Sequence, residues 1–266
     1  MLKNKKNFLF DIDGTLAVDS TLYQGTKEFL AYIERTGGHV FYITNNSTKS
    51  RRDYVDKFKQ WGIVTYEEQF VTASYATCLH LLQNYPDQSI YVLGTPSLVE
   101  EMRRCGIHVV DEVTDAVACV VIGFDTTLSY EKLEIACELL FRKHVDYIGT
   151  NPDYCCPTGY GFMPDCGSIC QLINCTVGRT PTFIGKPNKE IVRLCMEQVG
   201  GTNEDTIVVG DRLYTDIACG INAGVETAVV YTGEATKEDV KTTEYPPTYQ
   251  YDTIEDLYKA YLSQQG

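Results

Sequence analysis

The sequence is poor in several things that mark whole classes of protein. It has one tryptophan, four methionines and four histidines in 266 residues. The histidines (His39, His80, His108, His144) stand far apart, without the spacing of a zinc site. Eleven cysteines form no C-x-x-C pair; the nearest patterns are the adjacent Cys155 and Cys156, and Cys166 with Cys170. An odd number scattered along the chain argues against a disulfide frame and for reduced, mostly buried thiols. Positive charge is scarce: 23 Lys and Arg stand against 36 Asp and Glu, a formal net charge of -13. That speaks against nonspecific binding of nucleic acid or of an anionic membrane surface, both of which need Lys and Arg. A small anionic ligand in a local basic pocket stays open. No apolar run approaches the length of a membrane span. The apolar stretch behind the first lysines is cut by Asp11 too soon for a signal-peptide core, so a cytoplasmic location is expected. Repeats, low-complexity blocks and obvious flexible linkers are absent.

What remains is a chain able to build a core. Hydrophobic residues make up 44% and charged residues 22%, and the length suits one large domain or two modest ones. "NFLFDI" and "HVFYITNN" read as strands. "GTKEFLAYIERTGG" places Phe29, Leu30 and Ile33 at helical spacing and stops on Gly37 and Gly38, and "KSRRDYVDKFKQWG" is amphipathic and again stops on glycine. A β-α-β-α order implies a parallel sheet with right-handed crossovers. Three further strands ("SIYVLG", "CVVIGFD", "YIGTN") and two helices ("PSLVEEMRRCG", "SYEKLEIACELLFRK") follow. Then comes a stretch dense in Pro, Gly and Cys, "NPDYCCPTGYGFMPDCGS". The first rhythm returns with helix "KPNKEIVRLCMEQVGG", strand "TIVVGD", helix "TDIACGINAG" and strand "TAVVYTG", and the chain closes on a short extended piece and a helix. The expected fold is therefore an α/β, Rossmann-like parallel sheet core, residues 1–79 and 181–266, interrupted by an inserted α/β unit, residues 80–180, with soft boundaries near 77–82 and 180–182.

In an open parallel sheet, ligands bind beyond the C-terminal ends of the strands. Asp11 and Asp13 follow the first strand, and Thr44, Asn45 and Asn46 follow the second. Lys186 opens a helix with Pro187 in its first turn, and Asp211 and Asp216 follow "TIVVG". Each has an ordinary reading as a turn, capping or surface residue. Together, at successive strand exits, they point to chemistry. Clustered carboxylates repel one another unless a cation joins them, and oxygen-only ligands suit Mg²⁺. A carboxylate kept ionised in this way can attack phosphorus, a lysine and hydrogen-bond donors can offset the phosphoryl charge, and a second carboxyl two residues on can serve as acid and base. Lys186 also follows a glycine, but no G-x-x-x-x-G-K-[ST] exists to support a nucleotide P-loop.

With these residues assembled, the chain resembles the haloacid-dehalogenase-like (HAD) hydrolases. "DIDGT", "YITNN", Lys186 in "IGKPN" and "GDRLYTD" stand as the four motifs of that superfamily. "GFDTTLSYEKLEIACELL", "IGTNPD" and "GKPN" resemble its branch with a large α/β cap, the NagD and p-nitrophenylphosphatase-like enzymes (class IIA). The resemblance implies that Asp11 is the nucleophile and a Mg²⁺ ligand. Asp13 would be the general acid/base, its backbone carbonyl also on the metal. Thr44, Asn45 and Lys186 would bind the phosphoryl group, Asp211 would be the third metal ligand, and Asp216 would support the site. The resemblance also says that dehalogenases lack the second Asp and that P-type ATPases carry Lys there, so a Mg²⁺-dependent phosphatase is expected. Its substrate would be a small phosphorylated metabolite, such as a sugar phosphate or nucleoside monophosphate, and a phosphotransferase or phosphomutase is the alternative. Dimerisation through the cap is implied by analogy alone. Related caps read Pro-Gly-Ala-Gly-Ser where this chain has "PDCGS", so Asp165 and Cys166 are candidate substrate contacts, beside their readings as a turn Asp and a packing Cys.

Overall fold

The computed structural model describes residues 1–142, 144–158 and 160–265. Lys143, at the end of one expected helix, Gly159, in the Pro/Gly/Cys-rich stretch, and Gly266 lie outside the described residues. By Cα proximity the chain divides into two units, Met1–Thr44, Val55–Val71 and Lys186–Gly266 on one side and Asn45–Tyr54 and Thr72–Gly185 on the other.

The first unit is built on a six-stranded sheet in the order Tyr249–Tyr251, Glu226–Val230, Thr206–Gly210, Asn7–Phe10, His39–Thr44, Phe70–Thr72. Asn7–Phe10 pairs in parallel with Thr206–Gly210 on one side (Phe8 opposite Ile207) and with His39–Thr44 on the other (Phe8 opposite Val40). Every residue of Asn7–Phe10 and Thr206–Gly210 is buried, as expected of parallel strands covered on both faces. Helix Thr26–Arg35 buries Phe29, Leu30 and Ile33, and helix Ile254–Ser263 buries Ile254, Leu257 and Tyr261. Phe8 meets Phe29 and Tyr261 edge-on at centroid distances of 5.4 and 5.2 Å, a geometry that aligns ring edges with ring faces. The chain leaves Asn7–Phe10 to build the sheet on one side and later returns to build it on the other. The crevice that this reversal opens at the C-terminal ends of the strands is where such sheets bind ligands.

The second unit carries a five-stranded sheet, Thr182–Phe183, Asp146–Gly149, Val117–Ile122, Ser89–Leu93, His108–Val110, whose pairs are parallel. Its core joins Val120, Ile122, Leu139, Tyr147, Ile169 and Ile173. Four of its helices start on capping side chains: Thr72 before Ala73–Asn84, Thr95 before Pro96–Arg104, Ser129 before Tyr130–Leu140 and Asp165 before Cys166–Val177. The Pro/Gly/Cys-rich stretch is more ordered than its composition suggests. It forms an antiparallel hairpin, Cys155–Thr158 with Gly161–Pro164, and then the helix Cys166–Val177. Helix Ala73–Asn84 runs without a break through residues 77–82. All eleven cysteines are free thiols, and six of them are buried. No helix among the described residues is long and apolar enough to cross a membrane.

Candidate active site

The first unit gathers four of the expected residues: Asp11, Asp211 and Asp216 behind its central strands, and Lys186, whose preceding strand, Thr182–Phe183, belongs to the second unit's sheet. Asp11 leaves Asn7–Phe10 with its N–H still bonded to the Val209 carbonyl at 2.8 Å, so the sheet itself orients this residue. Asp211 follows Thr206–Gly210 directly. Asp216 sits in a widened turn, Leu213–Ile217, where the Ile217 N–H reaches back five residues to the Arg212 carbonyl at 3.1 Å. Such wide turns recur at functional sites, and this one turns the Asp216 carboxylate inward to accept from the Arg212 N–H at 3.0 Å. Lys186 closes the group. Its Nζ donates to Asp11 Oδ1 at 2.7 Å, to Asp216 Oδ1 at 2.6 Å and to the Ile43 carbonyl at 3.1 Å, and the residue is 2% exposed.

Asp11, Asp211 and Asp216 are all buried and each offers a carboxylate oxygen within 4.8 Å of the others. Burial pushes the Asp11 carboxyl well above the usual carboxylate range, with Lys186 opposing and Asp216 and Asp211 adding to the rise. Burial, then Asp216, pushes Asp211 up to about 7 against the pull of Arg212, the Glu234 N–H and Lys186. Burial opposes the charge on Lys186, but Asp11 and Asp216 more than offset it and hold the ammonium protonated. Without a further cation these acids relieve their repulsion by holding protons, as the raised Asp11 and Asp211 carboxyls show; a divalent cation with oxygen ligands would let all three stay ionised beside the one ammonium. The donor set therefore fits such an ion.

The backbone around Asp211 is shaped for close approach. Gly14 has φ 98°, and a Cβ there would stand 2.5 Å from Asp211 Oδ2; one on Gly233 would also collide with that carboxylate. Asp211 Oδ2 accepts from the Glu234 N–H at 2.8 Å, and the Asp211 carbonyl accepts from Ala235 at 2.9 Å. Thr15 Oγ1 lies 3.5 Å from Asp11 Oδ2 and 3.4 Å from Asp211 Oδ1, both at the long end of a hydrogen bond. Thr15 closes the "DIDGT" motif, yet sequence reasoning gave it no role.

The other expected residues are placed differently. Asp13 stands apart from the three clustered acids. Its side chain is 41% exposed and pairs with Lys57 Nζ at 3.1 Å. Thr44 is buried at the end of His39–Thr44. Asn45 belongs to the second unit, where its Nδ2 donates to Asp153 Oδ2 at 2.7 Å. Asp153 also accepts from Asn151 Nδ2 at 2.9 Å, and Asn151 in turn reaches Asp165 Oδ1 at 3.1 Å. Asp165 accepts the Cys166 N–H and so caps the helix that follows. Cys166 is fully buried, its thiol 3.2 Å from the Ile122 carbonyl. These bonds tie "TNPD" to "PDCGS" inside one unit. The link was invisible in sequence, where only the separate motifs show.

Comparison with known proteins gives the family. The profile of the haloacid dehalogenase-like hydrolases matches residues 8–108, and one described as HAD-hydrolase-like matches residues 183–257. An acid sugar phosphatase of Staphylococcus aureus is 35% identical over 255 residues, which cover 96% of this chain and 97% of that protein. The crystal structure of a 4-nitrophenylphosphatase from Thermotoga maritima superposes with a TM-score of 0.92 at 38% identity, covering 98% of both chains. NagD from Escherichia coli superposes with a TM-score of 0.84 at 29% identity, covering 95% of this chain and 98% of that one. Likeness in sequence and backbone over nearly the whole length, together with the four motifs in place, identifies the chain as a phosphatase of the haloacid dehalogenase-like hydrolases, in the NagD-like branch with an α/β cap domain.

Proposed function

We propose that the protein hydrolyses small phosphomonoesters through an aspartyl-phosphate on Asp11, with Mg²⁺ as its metal. The observation that carries this reading is the buried Lys186 ammonium bridging Asp11 and Asp216 beside Asp211. Asp11 and Asp211, with the backbone carbonyl of Asp13, would hold the ion. When bound, the cation keeps the carboxylates ionised and offsets the charge of a phosphate dianion.

The chain's own residues account for the rest. Lys186 occupies Asp11 Oδ1, so Asp11 Oδ2 is the oxygen left to attack phosphorus. The same ammonium offsets negative charge as the P–O bond to the leaving group lengthens. The Thr44 hydroxyl and the Asn45 N–H, at the end of the second strand, serve as donors to phosphoryl oxygens. Asp13 gives its proton to the leaving alkoxide. It then takes one from the water that attacks the aspartyl-phosphate, which returns Asp11 as a carboxylate and frees inorganic phosphate. Asp216 keeps Lys186 aimed. The names of its relatives, acid sugar phosphatase and 4-nitrophenylphosphatase, favour sugar phosphates among the small substrates to try first.

The test is phosphate release from p-nitrophenyl phosphate and from a panel of sugar phosphates and nucleoside monophosphates. Asp11→Asn should abolish turnover while leaving the melting transition intact. EDTA should stop the wild-type enzyme and added Mg²⁺ restore it. Substantial activity in the Asp11 variant, or indifference to chelation, rejects the reading.

A further inference from the structure

We propose that Lys57 is a positioning residue for the acid/base Asp13; the inference deepens the phosphatase mechanism above and rests on it. Asp13 lies in the tight loop behind the first strand. The backbone there is well held, with the Gly14 N–H on the Ala17 carbonyl at 2.8 Å and the Leu16 and Ala17 N–H groups on the Ile12 carbonyl at 2.9 and 3.1 Å. Its side chain lies outside the buried acidic cluster, and the ammonium of Lys57 holds Oδ1 at 3.1 Å. That bond leaves Oδ2 as the oxygen to give and take the proton.

An exposed lysine would hold a carboxylate poorly, because two flexible side chains must be ordered for a weak, screened attraction. Lys57 is not such a lysine. It is 16% exposed, and its ammonium lies over the ring of Trp61, 4.9 Å from the centroid. Trp61 is itself fixed. Its indole N–H donates to the Ser20 carbonyl at 2.7 Å, and its ring meets Phe58 edge-on at 5.0 Å. Phe58 is fully buried against Tyr42 at 4.4 Å, on the strand that ends at Thr44. The order of the sheet is thus passed through Phe58, Trp61 and Lys57 to a carboxylate that its own loop does not clamp. Proton transfer depends on geometry before anything else, and this chain of contacts supplies it.

The distinguishing readout is dependence on the leaving group. An alkyl or sugar alkoxide must be protonated as it departs, whereas p-nitrophenolate departs without a proton. Lys57→Met should lower kcat/KM, which reports the step that expels the leaving group and not the later hydrolysis common to all substrates, about tenfold on a sugar phosphate and less than about threefold on p-nitrophenyl phosphate, a fraction of the total that general acids contribute. Lys57→Arg should restore most of the difference. In an Asp13→Asn background Lys57→Met should add nothing, because the partner through which it acts is gone. Equal losses on both substrates, no recovery with arginine, or an undiminished loss in the Asp13→Asn background would overturn the proposal. If Lys57→Met fails to fold, Trp61→Leu, which removes the ring beneath the ammonium, is read the same way, and a leaving-group difference must still appear. If Asp13→Asn shows no leaving-group difference, the acid/base role of Asp13 falls and this proposal with it. The Asp11→Asn result stands or falls separately.

Discussion

Lys186 is the residue on which the buried charges depend. Replacing it with methionine leaves Asp11 and Asp216 buried without their cation, and breaking a buried pair in this way costs about 3–5 kcal/mol. Lys186→Met should therefore lower unfolding stability by that order in chemical denaturation, and turnover should fall at least about a hundredfold, as when a preorganised charge-stabilising donor is lost. Gly14→Ala makes a different demand. The new methyl must enter the space of Asp211 from a backbone at φ 98°, so a loss of both stability and metal-dependent activity is expected. Much of this was legible residue by residue. Asp11, Lys186, Asp211 and Asp216 stand at strand exits, and strand exits follow from short apolar runs. Lys57 was not legible, because it lies on a helix 44 residues from Asp13 and nothing in local spacing marks the pair. Thr15 was passed over because a threonine after Asp-Gly reads as turn chemistry until its hydroxyl is seen between two carboxylates.

At the scale of elements, helix Cys166–Val177 depends on the residue just before it. Asp165 caps it and also accepts from Asn151, so Asp165→Ala removes a cap worth about 1 kcal/mol and loosens a buried amide that adds a similar amount. A drop of about 2 kcal/mol in unfolding stability is expected. Comparison of sugar phosphates with p-nitrophenyl phosphate would show whether substrate preference moves with it. The strand Glu226–Val230 is tied at its start by an ion pair, Glu226 with Lys5 Nζ at 3.0 Å, Lys5 being nearly fully buried. Burial of Glu226 works against its charge, but the bond and charge of Lys5 outweigh it and hold the carboxyl below its ordinary value of 4.5. A lowered acid stabilises the fold above its unfolded pKa and loses that contribution as pH falls through the folded one. The melting temperature of Glu226→Gln should lie below that of the wild type at pH 6, and the gap should close as pH is lowered below about 4.5. The long strands and amphipathic helices were readable from periodicity. Phe70–Thr72 and His108–Val110 are three residues each, too short to show a period. The hairpin Cys155–Thr158 with Gly161–Pro164 holds Pro157 and Pro164, residues that ordinarily argue against a strand, and so it read as loop.

For the whole molecule, a divalent ion in the acidic cluster should act as a ligand of the folded state alone. At a concentration about 100 times its dissociation constant it would add about 2.7 kcal/mol. Mg²⁺ should accordingly raise the melting temperature of the wild type, and Asp211→Asn should abolish most of that rise; scanning calorimetry with and without EDTA measures it. Organisation into an α/β core and a cap was legible from the return of the β-α rhythm after residue 180. Where each unit ends depended on spatial neighbours that one-dimensional patterns do not carry, as with Asn45, which follows a strand of the first unit yet bonds to Asp153 in the second. The reduced thiols have a practical consequence. Cys195 and Cys219 are buried in the first unit, Cys166 and Cys170 in the second, and Cys175 is exposed. An alkylating reagent added to the native enzyme should modify Cys175 at once and reach the others only when their surroundings transiently open. Mass spectrometry of the labelled peptides over time would then give a separate breathing rate for each half of the enzyme, with no engineered reporter needed.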